Sequence, residues 1–330
     1  MLALPRVGII GAGLMGRWHA QACRRAGGRV AAVVDLNLGA AQRLAAELGG
    51  AAAAGSLGSL SDGVTLDVVH VCTPPETHEE QIRAALPHGC PVIVEKPLAP
   101  TAAITEELIV AARRTGTWIL PVHQTVFQDG VARALRWATD GPVRAFDYLA
   151  CSAGASASPD RADEVVADIL PHPLSLLDVL LPGALDAMQW VTHRTAPGEL
   201  LVTAATGTTA VRFLISMHAR PTRHELTLFG DEGTVTADLF HGFAWRERGH
   251  VSRMGKIARP FVAAASSSRA AAANLGRRAI GREPAYPGLN TLVKQVYAAL
   301  DDPARRPFSD RHTLAVARAR DQILHQLAHD

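Results

Sequence analysis

Residues 6–35 read RVGIIGAGLMGRWHAQACRRAGGRVAAVVD. Arg6 to Ile10 is a short β-branched run, which predicts a strand. Gly11, Gly13 and Gly16 follow in G-x-G-x-x-G spacing, then an amphipathic segment of helical period, then a second apolar run from Val30 to Val34 that ends at Asp35. Each part has a physical task if the segment holds a dinucleotide. Gly11 permits the tight turn from strand to helix, Gly13 lets the backbone approach a pyrophosphate, and Gly16 lets the helix pack on the strand. The helix N-terminus presents unpaired N–H groups and the positive end of its dipole to phosphates. Asp35, 24 residues after Gly11, stands where a carboxylate accepts hydrogen bonds from adenosine ribose hydroxyls. Glycine spacing alone is weak; strand, helix and terminal acid together make the reading specific. A carboxylate at 35 also repels a 2′-phosphate, and DLNLG (35–39) has no arginine beside it. The expected cofactor is NAD rather than NADP, with Arg43 on the next helix as the residue that would reverse the preference.

Beyond residue 35 the chain keeps alternating. LDVVHVCTPPETHEEQIRAALPHG (66–89) predicts a buried strand over Val68–Cys72, a turn and a helix. CPVIVEKPLAPTAAITEELIVAARRTG (90–116) predicts another strand, a turn at Glu95-Lys96-Pro97 and a helix capped by Thr101. TWILPVHQ (117–124) predicts a further strand. This alternation implies a doubly wound parallel sheet, whose ligands lie off the carboxyl ends of its strands. Thr73, Pro74, Glu95, Lys96, His123 and Gln124 all fall at such ends.

After residue 124 the texture changes. FQDGVARALRWATDG (127–141) predicts a helix and PVRAFDYLACSA (142–153) a strand. In ADILPHPLSLLD (167–178), His172 sits between Pro171 and Pro173. Neither proline can lie deep in a helix, and both push Leu170 and His172 away from helical angles. A helix is therefore expected to begin between 170 and 173 and to end at Pro182-Gly183, with His172 at its N-terminus. The positive dipole end there favours neutral imidazole. Strands are predicted over 186–195, 200–206, 209–217, 223–230 and 233–239, then two helices near 287–300 and 311–328. Consecutive strands with short turns imply a mostly antiparallel sheet. The expected fold class is α/β: an N-terminal Rossmann doubly wound parallel sheet over 1–122, plus a C-terminal α+β domain over 123–330 with a large, mostly antiparallel open sheet. The final helix is expected to pack back on the first domain.

Composition agrees with two domains: the chain has 330 residues, 48% of them apolar. A formal net charge of +2 gives no nucleic-acid signature. The four cysteines, Cys23, Cys72, Cys90 and Cys151, form no C-x-x-C pair. Neither a zinc site nor a disulfide framework is expected, and a reducing cytoplasm fits. MLALPRVGII (1–10) lacks a basic leader and reads as the first strand. No apolar run reaches the ~18 residues of a membrane span. Residues 248–282 stand apart, with seven arginines, one lysine and no acid. They read either as a solvated, alanine-rich helical excursion or as an electropositive surface for a diphosphate-bearing substrate or an anionic membrane face.

GAGLMGRWHA (11–20), VCTPPETH (71–78) and VEKPLA (94–99) resemble the Gfo/Idh/MocA oxidoreductases, the group of glucose-fructose oxidoreductase and inositol dehydrogenase. The resemblance continues through residues 122–150, 168–181 and 226–239 and covers essentially the whole chain. E-K-P combined with D-x-x-x-H is its specific part. It implies hydride transfer between nicotinamide and a secondary alcohol or ketone of a sugar, a nucleotide- or lipid-linked sugar derivative, or a cyclitol. It also implies a homodimer or homotetramer formed through the C-terminal sheet. A non-enzymatic NAD-binding sensor on the same fold and a C=N or C=C reductase are the alternatives. The matching catalytic positions are Lys96, Asp168 and His172. Lys96 would stabilise the developing alkoxide. His172 would take the carbinol proton, with Asp168 orienting its ring. Cofactor contacts would come from Gly11, Gly13, Leu14, Met15, Gly16, Asp35 and Leu36, then from Cys72, Thr73, Pro74, His78, Glu95, Lys96 and Gln124. Substrate contacts would come from His123 and Gln124 beside the catalytic three. His78, near the start of a helix, reads by its own surroundings as structural rather than as a ligand contact, and His19 could reach the cleft floor. His218, His224, His241 and His250 show no metal spacing and receive no role. Thr125 stands where the family often has arginine, and Ser175 where it often has an acid, so the departures concentrate among substrate-contacting positions.

Overall fold

The computed structural model describes residues 4–152, 161–249, 252–281 and 285–327. The chain divides into two compact units: Met1–Val122 with Leu289–Ala317, and His123–Gly288 with Arg318–Asp330.

In the first unit, β1 (Arg6–Ile10), β2 (Arg29–Val34), β3 (Ala52–Ala54), β4 (Val68–Val71), β5 (Val92–Val94) and β6 (Ile119–Pro121) form one sheet in the order β3-β2-β1-β4-β5-β6. Every pair is parallel. Parallel pairing needs crossovers, supplied by α1 (Leu14–Arg25), α2 (Leu38–Glu47), α3 (His78–Ala85) and α4 (Ala102–Arg114). Strands covered on both faces run continuously aliphatic rather than alternating, and β4 and β5 are buried at every residue. The edge strand β3 is three alanines, which carry no strand signal of their own; pairing with β2 forms it. Helix starts follow side-chain chemistry. Thr101 Oγ1 accepts the Ile104 N–H at 3.3 Å, as expected, and Asn37 Oδ1 accepts the Ala40 N–H at 3.1 Å. The strand order reverses between β1 and β4, which places a crevice off their carboxyl ends.

The second unit runs α5 (Asp129–Ala138), β7 (Val143–Cys151), α6 (Ala162–Ile169), α7 (Pro171–Leu180), β8 (Val191–His193), β9 (Glu199–Thr206), β10 (Thr209–Ser216), β11 (Arg223–Gly230), β12 (Gly233–Asp238), β13 (Phe243–Arg248) and α8 (Arg253–Gly281). Its seven strands lie in the order β13-β12-β11-β7-β10-β9-β8. Among the described residues, β7 and β10 pair in parallel and the other pairs are antiparallel. Alternation along β10 buries Val211, Phe213 and Ile215. Arg212 points to the other face, where its Nε donates to Asp147 of β7 at 2.8 Å. The strand expected over 186–195 shrinks to β8, because Leu185–Ala187 closes a 3₁₀ turn first. β13 extends the sheet by one strand beyond the five expected after residue 185, paired with β12 along its whole length.

The chain ends in α9 (Leu289–Tyr297) and α10 (Asp310–Leu327), close to the predicted helices. α9 packs on α1 within the first unit. All four cysteines are buried thiols. Among the described residues no helix is long and apolar enough to cross a membrane.

Candidate active site

The three glycines of the first turn do separate work. Gly11 has φ +98°, a left-handed conformation, and a Cβ there would lie 2.7 Å from the Cys72 carbonyl oxygen. A Cβ on Gly16 would lie 1.8 Å from the Gly11 oxygen. These two positions are closed by the protein's own backbone. Around Gly13 nothing lies within 4 Å, so the turn is open there. α1 begins at this opening with no side-chain cap, so its first N–H groups keep no side-chain acceptor. Asp35 ties the end of β2 to the turn: Oδ2 accepts the Ala12 N–H at 2.7 Å and Oδ1 the Asn37 N–H at 2.8 Å. Each oxygen keeps a lone pair for a further donor. Leu14 and Leu36 are exposed beside the turn. This open cradle, with N–H groups at one end and a carboxylate at the other, fits an adenine dinucleotide. The Arg43 guanidinium bends back toward the start of α2, where a Cβ on Gly39 would meet its Nη1 at 3.4 Å.

Two further strand ends complete this rim. Cys72, Thr73 and Pro74 follow β4, and Thr77 Oγ1 donates to Thr73 Oγ1 at 2.8 Å. Glu95, Lys96 and Pro97 follow β5, with the Lys96–Pro97 peptide cis. His78 joins the two turns from beneath. It is buried, with Nδ1 2.8 Å from the Pro97 oxygen and Nε2 2.9 Å from the Thr73 oxygen. Its ring is occupied within the protein and braces the rim.

Glu95 ends a buried polar chain. Its Oε1 lies 3.0 Å from His19 Nε2, His19 Nδ1 lies 2.8 Å from His70 Nδ1, and His70 Nε2 lies 3.0 Å from the Tyr297 hydroxyl. A carboxylate only accepts, so His19 donates from Nε2, and as a neutral ring it accepts at Nδ1. His70 must then donate from Nδ1 and accept at Nε2 from the Tyr297 O–H. Burial, aided by His19, pushes His70 well below the ordinary imidazole value, and burial pushes the Tyr297 phenol well above its own. Both groups are therefore neutral, and every donor points toward Glu95. Cys23 continues the chain beyond Tyr297, its thiol pushed up to about 11 chiefly by burial. His19 was expected near the cleft floor; His70 and Tyr297 were not. The available signal was a lone histidine in the aliphatic strand VVHV, which needs a polar partner when buried. Tyr297→Phe keeps the ring but leaves His70 Nε2 without its donor. The expected destabilisation is ~1–3 kcal/mol in urea unfolding, and wild-type stability would refute the chain.

The second unit holds a cavity of about 1280 Å³ whose polar lining includes Gln124, Thr125, Gln128, His172 and His224. α7 brings His172 there. The helix begins at Pro171, inside the expected window, with His172 in its first turn. The expectation that Leu170 and His172 leave helical angles is corrected: Leu170 has φ −51° and ψ −37°, and His172 lies within α7. Leu170 N–H donates to Val166 and Leu174 N–H to Leu170, each at 3.3 Å, so α6 runs almost directly into α7. First-turn prolines give up only N–H groups that have no intrahelical acceptor. Burial of Leu170, Pro171, Pro173 and Leu174 outweighs the pre-proline preference.

His172 is half-buried, with Nδ1 3.4 Å from Thr125 Oγ1 and its ring 5.9 Å from that of His224. Its carbonyl accepts the Ser175 hydroxyl at 2.9 Å. Asp168 is half-buried on α6, outside the cavity's described lining, and its charge acts on the half-buried Arg320. His123 is buried just before the short turn Gln124–Phe127. His224 and His241 both line the cavity, although their spacing gave them no role. The Tyr148 hydroxyl, whose phenol burial pushes well above its ordinary value, lies 2.6 Å from His224 Nε2.

Burial pushes His224 down to about 4, with Asp238 opposing. The unfolded ring titrates near 6.5, so between these values the unfolded chain binds more protons. Stability is therefore full above about pH 6.5 and falls as pH drops toward 4. The window is worth roughly 3 kcal/mol. Urea midpoints at pH 7.5 and pH 5 should differ less in His224→Gln than in the wild type; an equal difference would assign the acid sensitivity elsewhere.

Residues 5–123 match the family model described as "Oxidoreductase family, NAD-binding Rossmann fold", the Gfo/Idh/MocA model. The chain is 40% identical over 118 residues to inositol 2-dehydrogenase 2 of Saccharopolyspora erythraea, covering 35% of each chain. It is 32% identical over 198 residues to inositol 2-dehydrogenase of Pseudomonas syringae pv. syringae, covering 57% of this chain and 58% of that one. The match thus spans about a third of the first relative and little more than half of the second. The solved structure of GenD2 from gentamicin A biosynthesis, in complex with NAD, superposes with a TM-score of 0.76 at 20% identity, covering 99% of this chain and 95% of that one. That likeness extends the shared fold over both units. The dinucleotide-binding unit, over residues 5–123, thus matches the Gfo/Idh/MocA oxidoreductase model, and the whole chain shares the fold of an NAD-bound structure.

Proposed function

We propose that this chain is an NAD-dependent dehydrogenase or reductase acting on a CH–OH or ketone centre of a sugar, sugar derivative or cyclitol. The observation that carries the reading is the first turn, closed by backbone at Gly11 and Gly16, open at Gly13 and ended by Asp35. Bound nicotinamide supplies or takes the hydride. The protein's residues do the rest. The N–H groups at the start of α1 hold the pyrophosphate, and Asp35 accepts from the ribose hydroxyls and disfavours a 2′-phosphate. The Lys96 ammonium stabilises alkoxide charge on the reacting oxygen. His172 moves that oxygen's proton, with the Thr125 hydroxyl at Nδ1 and Asp168 one helix earlier as its supports. The buried chain from Tyr297 to Glu95 keeps the residue beside Lys96 in one position. Relatives named as inositol 2-dehydrogenases support a cyclitol or sugar ring. The test is a screen at 340 nm of NAD and NADP against sugars, nucleotide sugars and cyclitols. Turnover with NAD is expected. NAD binding without turnover of any compound would favour a sensor, and a preference for NADP would point to Arg43.

A further inference from the structure

The cavity of about 1280 Å³ is larger than the roughly 300–1,000 Å³ of ordinary small-molecule pockets. One six-carbon ring would leave much of it empty. Its polar lining contains two acceptors with nothing to accept. Gln128 is 3% exposed and its amide N–H donates to the Leu239 carbonyl at 2.9 Å. Its Oε1, like that of Gln124, is buried without a hydrogen-bond partner. Both oxygens are closed off from the open space, so the polar face offered to ring hydroxyls is that of Thr125, His172, Asp238 and His241.

The rest of the lining is mainly apolar. Phe240 and Phe243 come from β13 and the turn before it; Ala271, Leu275 and Ala279 come from α8. The three α8 residues are spaced four apart and so form one stripe. α8 is anchored in place: Asn274 Nδ2 and Arg278 Nη1 both donate to the His241 carbonyl, at 2.9 and 3.0 Å, and Arg277 pairs with Asp129. Phe240 and Leu275 remain 59% and 71% exposed while lining the cavity. A diphosphate does not suit this lining. Arg278 is its only Lys or Arg among the described residues and already serves a carbonyl, while Asp238 adds a negative charge. Phosphate recognition favours clustered cationic donors.

We propose that this site takes a polyhydroxylated ring bearing an apolar arm, an alkyl, acyl or aryl group. Ring hydroxyls lie against that polar face, and the arm lies along the Ala271–Leu275–Ala279 stripe. The ring's orientation toward His172 rests on the dehydrogenase reading; the arm does not. α8, from the acid-free basic segment, is then a wall of the substrate site.

The test is calorimetric titration of the full chain, saturated with NAD, with octyl and methyl β-D-glucopyranoside below the octyl compound's micellar concentration. The octyl glycoside should bind at least about tenfold more tightly, a factor that two buried methylenes supply. Leu275→Asp should remove this gain. Phe261→Asp, at a 78% exposed position of α8 outside the cavity, should keep it. Equal affinities for the two glycosides, a gain that survives Leu275→Asp, loss of the gain in Phe261→Asp, or tighter binding of UDP-glucose would each overturn the proposal. Absence of turnover would count against the dehydrogenase reading alone, because this comparison reads binding.

Discussion

Gly13→Ala should leave the chain folded and weaken NAD binding at least ~100-fold, because the added methyl occupies the space a pyrophosphate needs. Nothing of the protein lies within 4 Å of that methyl, so the melting temperature without NAD should match the wild type. Gly16→Ala should behave differently. Its methyl would lie 1.8 Å from the Gly11 carbonyl oxygen, and backbone cannot rotate out of the way. Overpacking of this kind destabilises by about 1–3 kcal/mol or more, and a backbone clash belongs at the upper end. Both stability and NAD affinity should fall together. Calorimetric titration with NAD and thermal unfolding of both variants separate the two cases. Wild-type NAD affinity in Gly13→Ala would remove the pyrophosphate from this turn.

Lys96→Ala and His172→Ala should each lower kcat at least ~100-fold on the true substrate, with NAD affinity changed by no more than a few-fold. The two losses should differ in pH dependence. Removing Lys96 takes away charge at the reacting oxygen and should depress the rate at every pH. Removing His172 takes away a proton acceptor, so the rate should recover partly as rising pH supplies hydroxide. Full activity in both variants would end the assignment of these residues.

The sequence was most legible where short-range pattern carries the information. The run from Arg6 to Asp35 gave strand, glycine turn, helix and acid in register, and the structure returns the same elements with Asp35 holding the turn. The strand-helix alternation gave the parallel sheet for the same reason: a crossover helix and a doubly covered strand each leave a local mark. Where a local preference met tertiary packing, packing decided. Leu170 is helical before a proline because its neighbours are buried, and Ala52–Ala54 is a strand because β2 lies beside it.

By itself, the sequence determined the fold class, the dinucleotide turn and the family resemblance of the dinucleotide-binding unit. These rest on residues close in the chain, or on periodicities that a helix or strand imposes within a few residues. Only the tertiary structure decided which distant side chains share a hydrogen bond or a wall. His70 and Tyr297, 227 residues apart, join His19 behind Glu95. Gln128, His224 and α8 meet around one cavity with His172. Such partners are chosen by the closure of sheets and the burial of polar atoms, and nothing in the local pattern of either residue marks the other.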